Sequence, residues 1–289
     1  MFNIIEKRSI FFIISAIVII AGIVGFAING GFNTDIDFTG GTEIYVNIGT
    51  EFDEIAIRDA LKGVDGVEIS SVQKSGETEA IIKTKELSQE QKVAAQDAIK
   101  AAFADSTILS VDNVSASVGK ELWNNAATSI AIAAILMLIY ITFRFELLTG
   151  ISAVLALIHD MLVMMSVYAL FQFPVNTSFI AAILTILGYS INATIVVFDR
   201  VRENTRFLKK ESFADVVNKS IWQTMGRSIN TSITTLIVLV ALYVLGVPSI
   251  KEFAMPLIIG VVCGCYSSVF LSGQFWVLLK GKNAKVVAK

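Results

Sequence analysis

Six long apolar stretches decide what this chain can fold into. The first, residues 10–28, runs for about 19 residues without a charge, and about 20 such residues cross the hydrocarbon core of a bilayer as a helix. Five more follow, at about residues 122–142, 147–171, 179–198, 220–245 and 253–279. With 54% hydrophobic and 17% charged residues, the composition is that of an integral membrane protein rather than a soluble domain. Lys7 and Arg8 precede the first stretch, as they would in a signal peptide, but the apolar core of a signal peptide is about 7–15 residues long. The sequence therefore predicts an uncleaved first span.

Between the first and second stretches the character changes. From Asp35 to Asp112 there are 16 acidic residues against 7 basic ones, a net charge of −9. Alternating runs at TEIYVNI, VEISSVQ and EAIIKTK and a final run over residues 107–118 read as strands. EFDEIAIRDALKG reads as a helix with Ile55 and Leu61 inward. SQEQKVAAQDAIKAAFA reads as a second helix, opened by a Ser88–Gln91 capping box, with Val93, Ala94, Ile99 and Phe103 on its apolar face. The order β-α-β-β-α-β suggests a small ferredoxin-like unit. The predicted fold is thus an α-helical polytopic membrane protein of six transmembrane helices, with a small α+β ferredoxin-like extracytoplasmic domain between helices 1 and 2. The segments are 1–30 (N-terminus and helix 1), 31–119 (the α+β domain), 120–280 (helices 2 to 6) and 281–289 (tail).

Orientation follows from the basic residues of the short loops. One set of ends carries Lys7, Arg8, Arg144, Arg200, Arg202, Arg206, Lys209, Lys210, Lys219, Lys280, Lys282, Lys285 and Lys289, whereas the opposite loops carry essentially only Lys251. Both termini are expected in the cytoplasm of a multi-pass cell-membrane protein, with the acidic domain outside. The same rule accounts for the basic loop after Arg200, so no nucleic-acid partner is predicted. There is no P-loop, nucleophile elbow or HExxH motif, and a lone histidine builds no common zinc site. No enzyme, metal or cofactor is predicted. Cys263 and Cys265, two apart on one helix, diverge too far for an easy disulfide.

Polar residues inside the spans are the best functional pointers. Asp160 lies near the middle of the third span beside His159 and is a candidate proton or cation carrier, the plainer alternative being a hydrogen-bonded structural residue. His159 itself reads as structural, because adjacent residues on a helix point about 100° apart. In the fourth span Gly188, Asn192 and Asp199 share one stripe, and such a stripe normally faces protein or water. In the fifth, Arg227, Thr231 and Thr234 share another; Arg227 either snorkels to the surface or partners an intramembrane acid. Asp199 and Arg200 read as a boundary pair, and Gly260 and Gly264 as a face for close helix packing.

Four stretches together carry a family likeness: DIDFTGGTEI after the first span, ALIHDMLVM in the third, GYSINATIVVFDRVREN at the end of the fourth and GRSINTSITT in the fifth. The chain resembles the SecF family, membrane subunits of the SecD/SecF group in the resistance-nodulation-division superfamily. Asp37, Phe38, Gly40, Gly41, Asp199 and Arg200 hold the most specific motif positions. The resemblance implies an accessory subunit of the Sec translocase that uses a proton or sodium gradient, with SecD, to promote late steps of protein export. The implied partners are SecD, the SecY/SecE/SecG channel, the translocating unfolded polypeptide and the lipid bilayer.

The family motif is GYSINDT, with an aspartate where this chain has Ala193. Family members use that acid with an arginine and a threonine that map onto Arg227 and Thr231. Alanine carries no proton and neutralises no guanidinium, so the relay that the resemblance implies is interrupted. Three readings stay open: an engineered substitution, a natural variant coupling through Asp160 or an acid of SecD, and a subunit working without ion coupling. The rival functions are a structural scaffold of the translocase and a small-molecule exporter of the same superfamily.

Overall fold

The computed structural model describes residues 3–207 and 211–281. Helix α1 (Arg8–Ile28) leads through the single turn α2 (Ile36–Thr39) into β1 (Gly41–Asn47), α3 (Glu54–Leu61), β2 (Ile69–Ser75), β3 (Glu79–Thr84), α4 (Gln89–Ala102) and β4 (Thr107–Val114). The strands form one antiparallel sheet in the order β2-β3-β1-β4. Alternation on β1 turns Ile44 and Val46 inward, where Ile57, Leu61, Ile82 and Ile99 close the core. The capping box of α4 is complete, with the Ser88 hydroxyl accepting from Gln91 N and the Gln91 side chain accepting from Ser88 N.

The structure corrects three local expectations. The last strand ends at Val114 rather than Val118, because its partner at that point is Gly41, the first residue of β1; Ser115 then stands at the N-cap of the next helix. On α3 Leu61 is inward as expected, but its partner is Ile57, while Ile55 is exposed. On α4 Ala95 and Ile99 face the core, with Ala98 and Phe103 packed against it, and Val93 and Ala94 point away. In both helices two apolar stripes one or two residues apart compete, and the sheet below selects the one nearer its own apolar face.

The remaining helices are α5 (Ala116–Arg144), α6 (Leu147–Phe171), α7 (Thr177–Phe207), α8 (Phe213–Leu245), α9 (Pro248–Phe270) and α10 (Ser272–Lys280). Among the described residues, six helical segments are long and apolar enough to cross a membrane, α9 and α10 counting as one segment bent at Leu271. Their outer surface is apolar, as with Ile13, Ile17 and Ile20 on α1 and Ile135, Leu136 and Ile139 on α5. Such a surface suits lipid, while the helices satisfy their own backbone. Helices α7 and α9 approach closely through glycine: a Cβ on Gly260 would lie 2.4 Å from Ile186 Cγ1, and one on Gly264 3.1 Å from Ser190 Cβ.

One end of the bundle is sealed by Ile4, Phe198, Phe213 and Trp276. Ile4 N donates to Asn218 Oδ1 at 2.9 Å, and Lys280 pairs with Glu146 at 3.7 Å, so the chain start, the α5–α6 turn and the end of α10 meet there. Lys209, Lys210, Lys282, Lys285 and Lys289 lie outside the described residues, as does the tail from 282 onward.

Candidate functional site

The DIDFTGG segment forms a joint between sheet and bundle. Asp35 caps α2 by accepting from Ile36 N at 2.8 Å, and the Asp37 carboxylate accepts from Thr177 N and Oγ1 at 2.9 and 2.6 Å. Asp37 thus supplies negative charge at the N-terminus of α7, where exposed N–H groups favour it. The Phe38 ring meets Trp123 of α5 edge-on at 5.3 Å. Gly40 sits at φ 78°, and a Cβ there would lie 2.7 Å from Ala116 N; one on Gly41 would lie 2.4 Å from Thr84 O. Both positions are closed to a side chain.

Beside this joint lies a buried ionic group that the sequence did not reveal. Lys83 of β3 donates to Asp35 at 2.5 Å and lies 3.7 Å from Glu252 of α9. Glu252 also accepts from Gln73 at 2.8 Å and from Asn176 at 2.6 Å. Glu43 of β1 stands opposite Lys83 in the strand register. Burial pushes the Glu43 carboxyl above its ordinary 4.5; Lys83 opposes this, and the nearby Asp35, Asp112 and Glu252 add to it. A raised value in the folded state means stabilisation that is present below pH 4.5 and lost as pH rises through the shifted value. Glu43→Gln is therefore expected to raise stability at neutral pH and to flatten its dependence on acid, as read by thermal unfolding across that range.

Asp160 sits at the centre of a second polar group, inside the bundle. It is 1% exposed. Its Oδ2 accepts from Ser190 of α7 at 2.6 Å and from Ser267 of α9 at 2.8 Å. Its Oδ1 lies 3.1 Å from His159 Nδ1, so the neighbouring histidine is a direct partner. His159 Nε2 lies 2.9 Å from Ser15 of α1, and Ser15 reaches Tyr266 at 3.5 Å. Serines of α7 and α9 thus meet the α6 carboxylate directly, and α1 reaches it only through His159. Asp160 itself is the signal legible in the sequence; Ser15, the one hydroxyl in residues 10–28, is a second that points to the same site.

The other sequence candidates occupy the outside of the bundle. Gly188, Asn192 and Asp199 are exposed along α7, and Arg227, Thr231 and Thr234 along α8. The Thr231 hydroxyl donates to Arg227 O at 2.9 Å, and that of Thr234 to Thr231 O at 2.9 Å. Tyr189 bonds to Ser232 at 3.1 Å, and Arg200 to Gln223 at 2.6 Å. This antiparallel register sets half-buried Ala193 level with the turn from Arg227 to Thr231. Asp199 pairs with Arg144 at 3.9 Å, not with Arg200, whose guanidinium turns to Glu203 and Gln223. Successive residues on a helix point apart, which explains the different partners. Among the described residues Arg227 has no carboxylate within ion-pair distance.

Comparison with known proteins connects this arrangement to a family. Residues 94–282 match the model of the C-terminal region of the protein-export membrane proteins SecD and SecF. Protein translocase subunit SecF of Sebaldella termitidis is 40% identical over 281 residues, covering 95% of this chain and 91% of that one. Protein translocase subunit SecDF of Bacillus subtilis is 38% identical over 97% of this chain but only 38% of its own length. The crystal structure of SecDF from Thermus thermophilus, described as a translocon-associated membrane protein, superposes with a TM-score of 0.84 at 31% identity. That match covers 96% of this chain and 38% of the solved one.

Proposed function

The chain belongs to the SecD/SecF protein-export family, and on that premise we propose that it is a SecF-type accessory subunit of the Sec translocase. It works with SecD to couple a proton or sodium gradient to late steps of export. The basic ends of the bundle face the cytoplasm, and residues 31–119 form a ferredoxin-like domain outside, joined to the helices of residues 120–280 through the DIDFTGG segment.

The observation that carries this reading is the outward polar face of α7 and α8. Arg227 lies 18 residues before the end of α8 at Leu245, about 27 Å along the helix. With about 30 Å of hydrocarbon to cross, that places Arg227 near the cytoplasmic edge, where it can snorkel. What calls for a covering protein is the whole outward polar stripe of Gly188, Asn192, Arg227, Thr231 and Thr234, and such a protein offers Arg227 an acid. Relatives in which the matched region is part of a longer SecDF chain support SecD as that protein. The partnership extends to the SecY/SecE/SecG channel and to the emerging unfolded polypeptide, which the outer domain engages.

Ala193 stands in the slot where the family places its own acid, level with Arg227. Ala193→Asp is expected to increase gradient-dependent export in vesicles reconstituted with SecD and the channel. Export that is the same in both forms and persists after the gradient is collapsed would instead describe a scaffold.

A further inference from the structure

We propose that the cleft between the free edge of β2 and the sheet-side end of the bundle binds an extended segment of the exported polypeptide by strand addition. That the segment belongs to an export substrate rests on the export reading above; that the cleft fits a peptide does not. The cleft encloses about 390 Å³, within the range of about 300–1,000 Å³ for sites that hold a ligand. One wall is β2, through Val72, Gln73 and Lys74. The other is made by the end of α6, the α6–α7 connection, the end of α8 and the start of α9.

The strand meets this cleft with its edge. Successive side chains of a strand point to opposite faces, and here Val72 enters the core of the small domain while Gln73 reaches Glu252 of α9 at 2.8 Å. Three consecutive residues line one cleft only where it opens along the side of the strand, which presents backbone rather than a single row of side chains. Strand β2 is outermost in the order β2-β3-β1-β4, and among the described residues it makes backbone bonds only to β3. Such an edge turns a row of N–H and C=O groups outward without partners. They complement another extended backbone, whereas a lipid chain offers no ladder of donors and acceptors. Strand addition draws its affinity from those main-chain bonds and its specificity from pockets for alternate side chains.

The opposite wall supplies the pockets. Tyr168, Phe173, Tyr243 and Met255 form an aromatic and apolar floor, in which the Tyr168 and Phe173 rings meet edge-on at 5.5 Å. A flexible thioether among rings adapts to apolar side chains of different shape, as a site for many substrates requires. The rim is charged. Lys74 and Lys251 are exposed, and among the described residues neither has a carboxylate within ion-pair distance. Glu252 is already held by Lys83, Gln73 and Asn176, which leaves Glu54 as the other acid of the rim. Two ammonium groups beside an otherwise acidic domain favour a segment that carries acidic residues next to its apolar one.

The test uses the full chain in lipid bilayers, with a photoreactive benzoyl-phenylalanine in place of Phe173 or Tyr243. Both forms are expected to crosslink to a synthetic peptide that alternates Val and Thr around a central Phe, with Asp at each end. The same group in place of Val93, exposed on α4, is expected to give no crosslink. A counterpart with esters in place of the central amides keeps every side chain but lacks the backbone donors, and its binding is expected to be weaker by about tenfold or more. Equal binding of the two peptides would reveal an apolar surface alone and overturn strand addition. Exclusion of the peptide by added SecD, with SecD itself crosslinked at Phe173 or Tyr243, would give the edge to that subunit and also overturn the proposal. Export in vesicles that requires this chain, without peptide crosslinks at either position, removes the site and keeps the export reading. Crosslinks at both positions in a chain with no effect on export do the reverse.

Discussion

Lys83→Met is expected to cost about 3–5 kcal/mol of stability, the range for breaking a buried ion pair by removing one partner. The Lys83 side chain is 8% exposed and that of Asp35 6%. Without the ammonium, Asp35 and Glu252 face each other with Glu43 beside them, all partly or wholly out of water. Asp35 also caps α2, and Glu252 also holds Asn176, so the disturbance reaches the joint and the start of α7. The matched control is Lys85→Met: Lys85 pairs with Glu68, but both side chains are about two-thirds exposed or more, and such pairs contribute about 0–1 kcal/mol. Denaturant unfolding of the detergent-solubilised chain measures both. Equal losses from the two substitutions would rule out a structural role for the buried group. Burial alone would lower the Lys83 ammonium, but Asp35, Glu252 and Glu43 together hold it above its ordinary 10.5. Its stabilisation is therefore full below that value and lost as pH rises through the shifted one, an alkaline decline that Lys83→Met abolishes.

The sequence exposes features that repeat along the chain and hides those that depend on distant meetings. The apolar lengths of the spans, the period-two strands and the Ser88–Gln91 box are local, and each reappears in the structure. Nothing in the sequence marks Glu252, because only the docking of β2 and β3 on α9 brings it to Lys83. Helical neighbours point apart, which gives His159 no sign of contact with Asp160 in the sequence, yet its ring and the Asp160 carboxylate are long enough to meet at 3.1 Å. Asp199 found Arg144 rather than its neighbour because α5 ends beside α7. The polar stripe of Gly188, Asn192 and Asp199 was legible as a stripe. Its outward direction was not, since a sequence does not say whether a polar face is covered by its own chain or by another.

Gly22→Ala is expected to push the first span off the bundle. A Cβ on Gly22 would lie 2.2 Å from Ser166 Cβ and 2.3 Å from Ser166 Cα, whereas carbon pairs settle at about 3.5–4.0 Å. Because one of the atoms met is backbone, no rotamer change relieves the clash, and α1 must retreat from α6 by more than about 1 Å. Overpacking of this kind costs about 1–3 kcal/mol. A Cβ on Gly25, three residues on, would lie 2.9 Å from Leu170 Cα, so the helices are close there too and leave little room for a compensating tilt. The same retreat stretches the 2.9 Å link from Ser15 to His159, which crosses the interface two turns earlier on α1. A lowered unfolding temperature is therefore expected together with an altered nitrogen-15 magnetic-resonance signal from the chain's single histidine. Gly63→Ala, with no atom within 4 Å of the added Cβ, should change neither. Loss of stability with an unchanged histidine signal would show that α1 hinges near Gly22 and leaves its Ser15 end in place, so that packing of the first span and the Ser15–His159–Asp160 link are held by separate contacts.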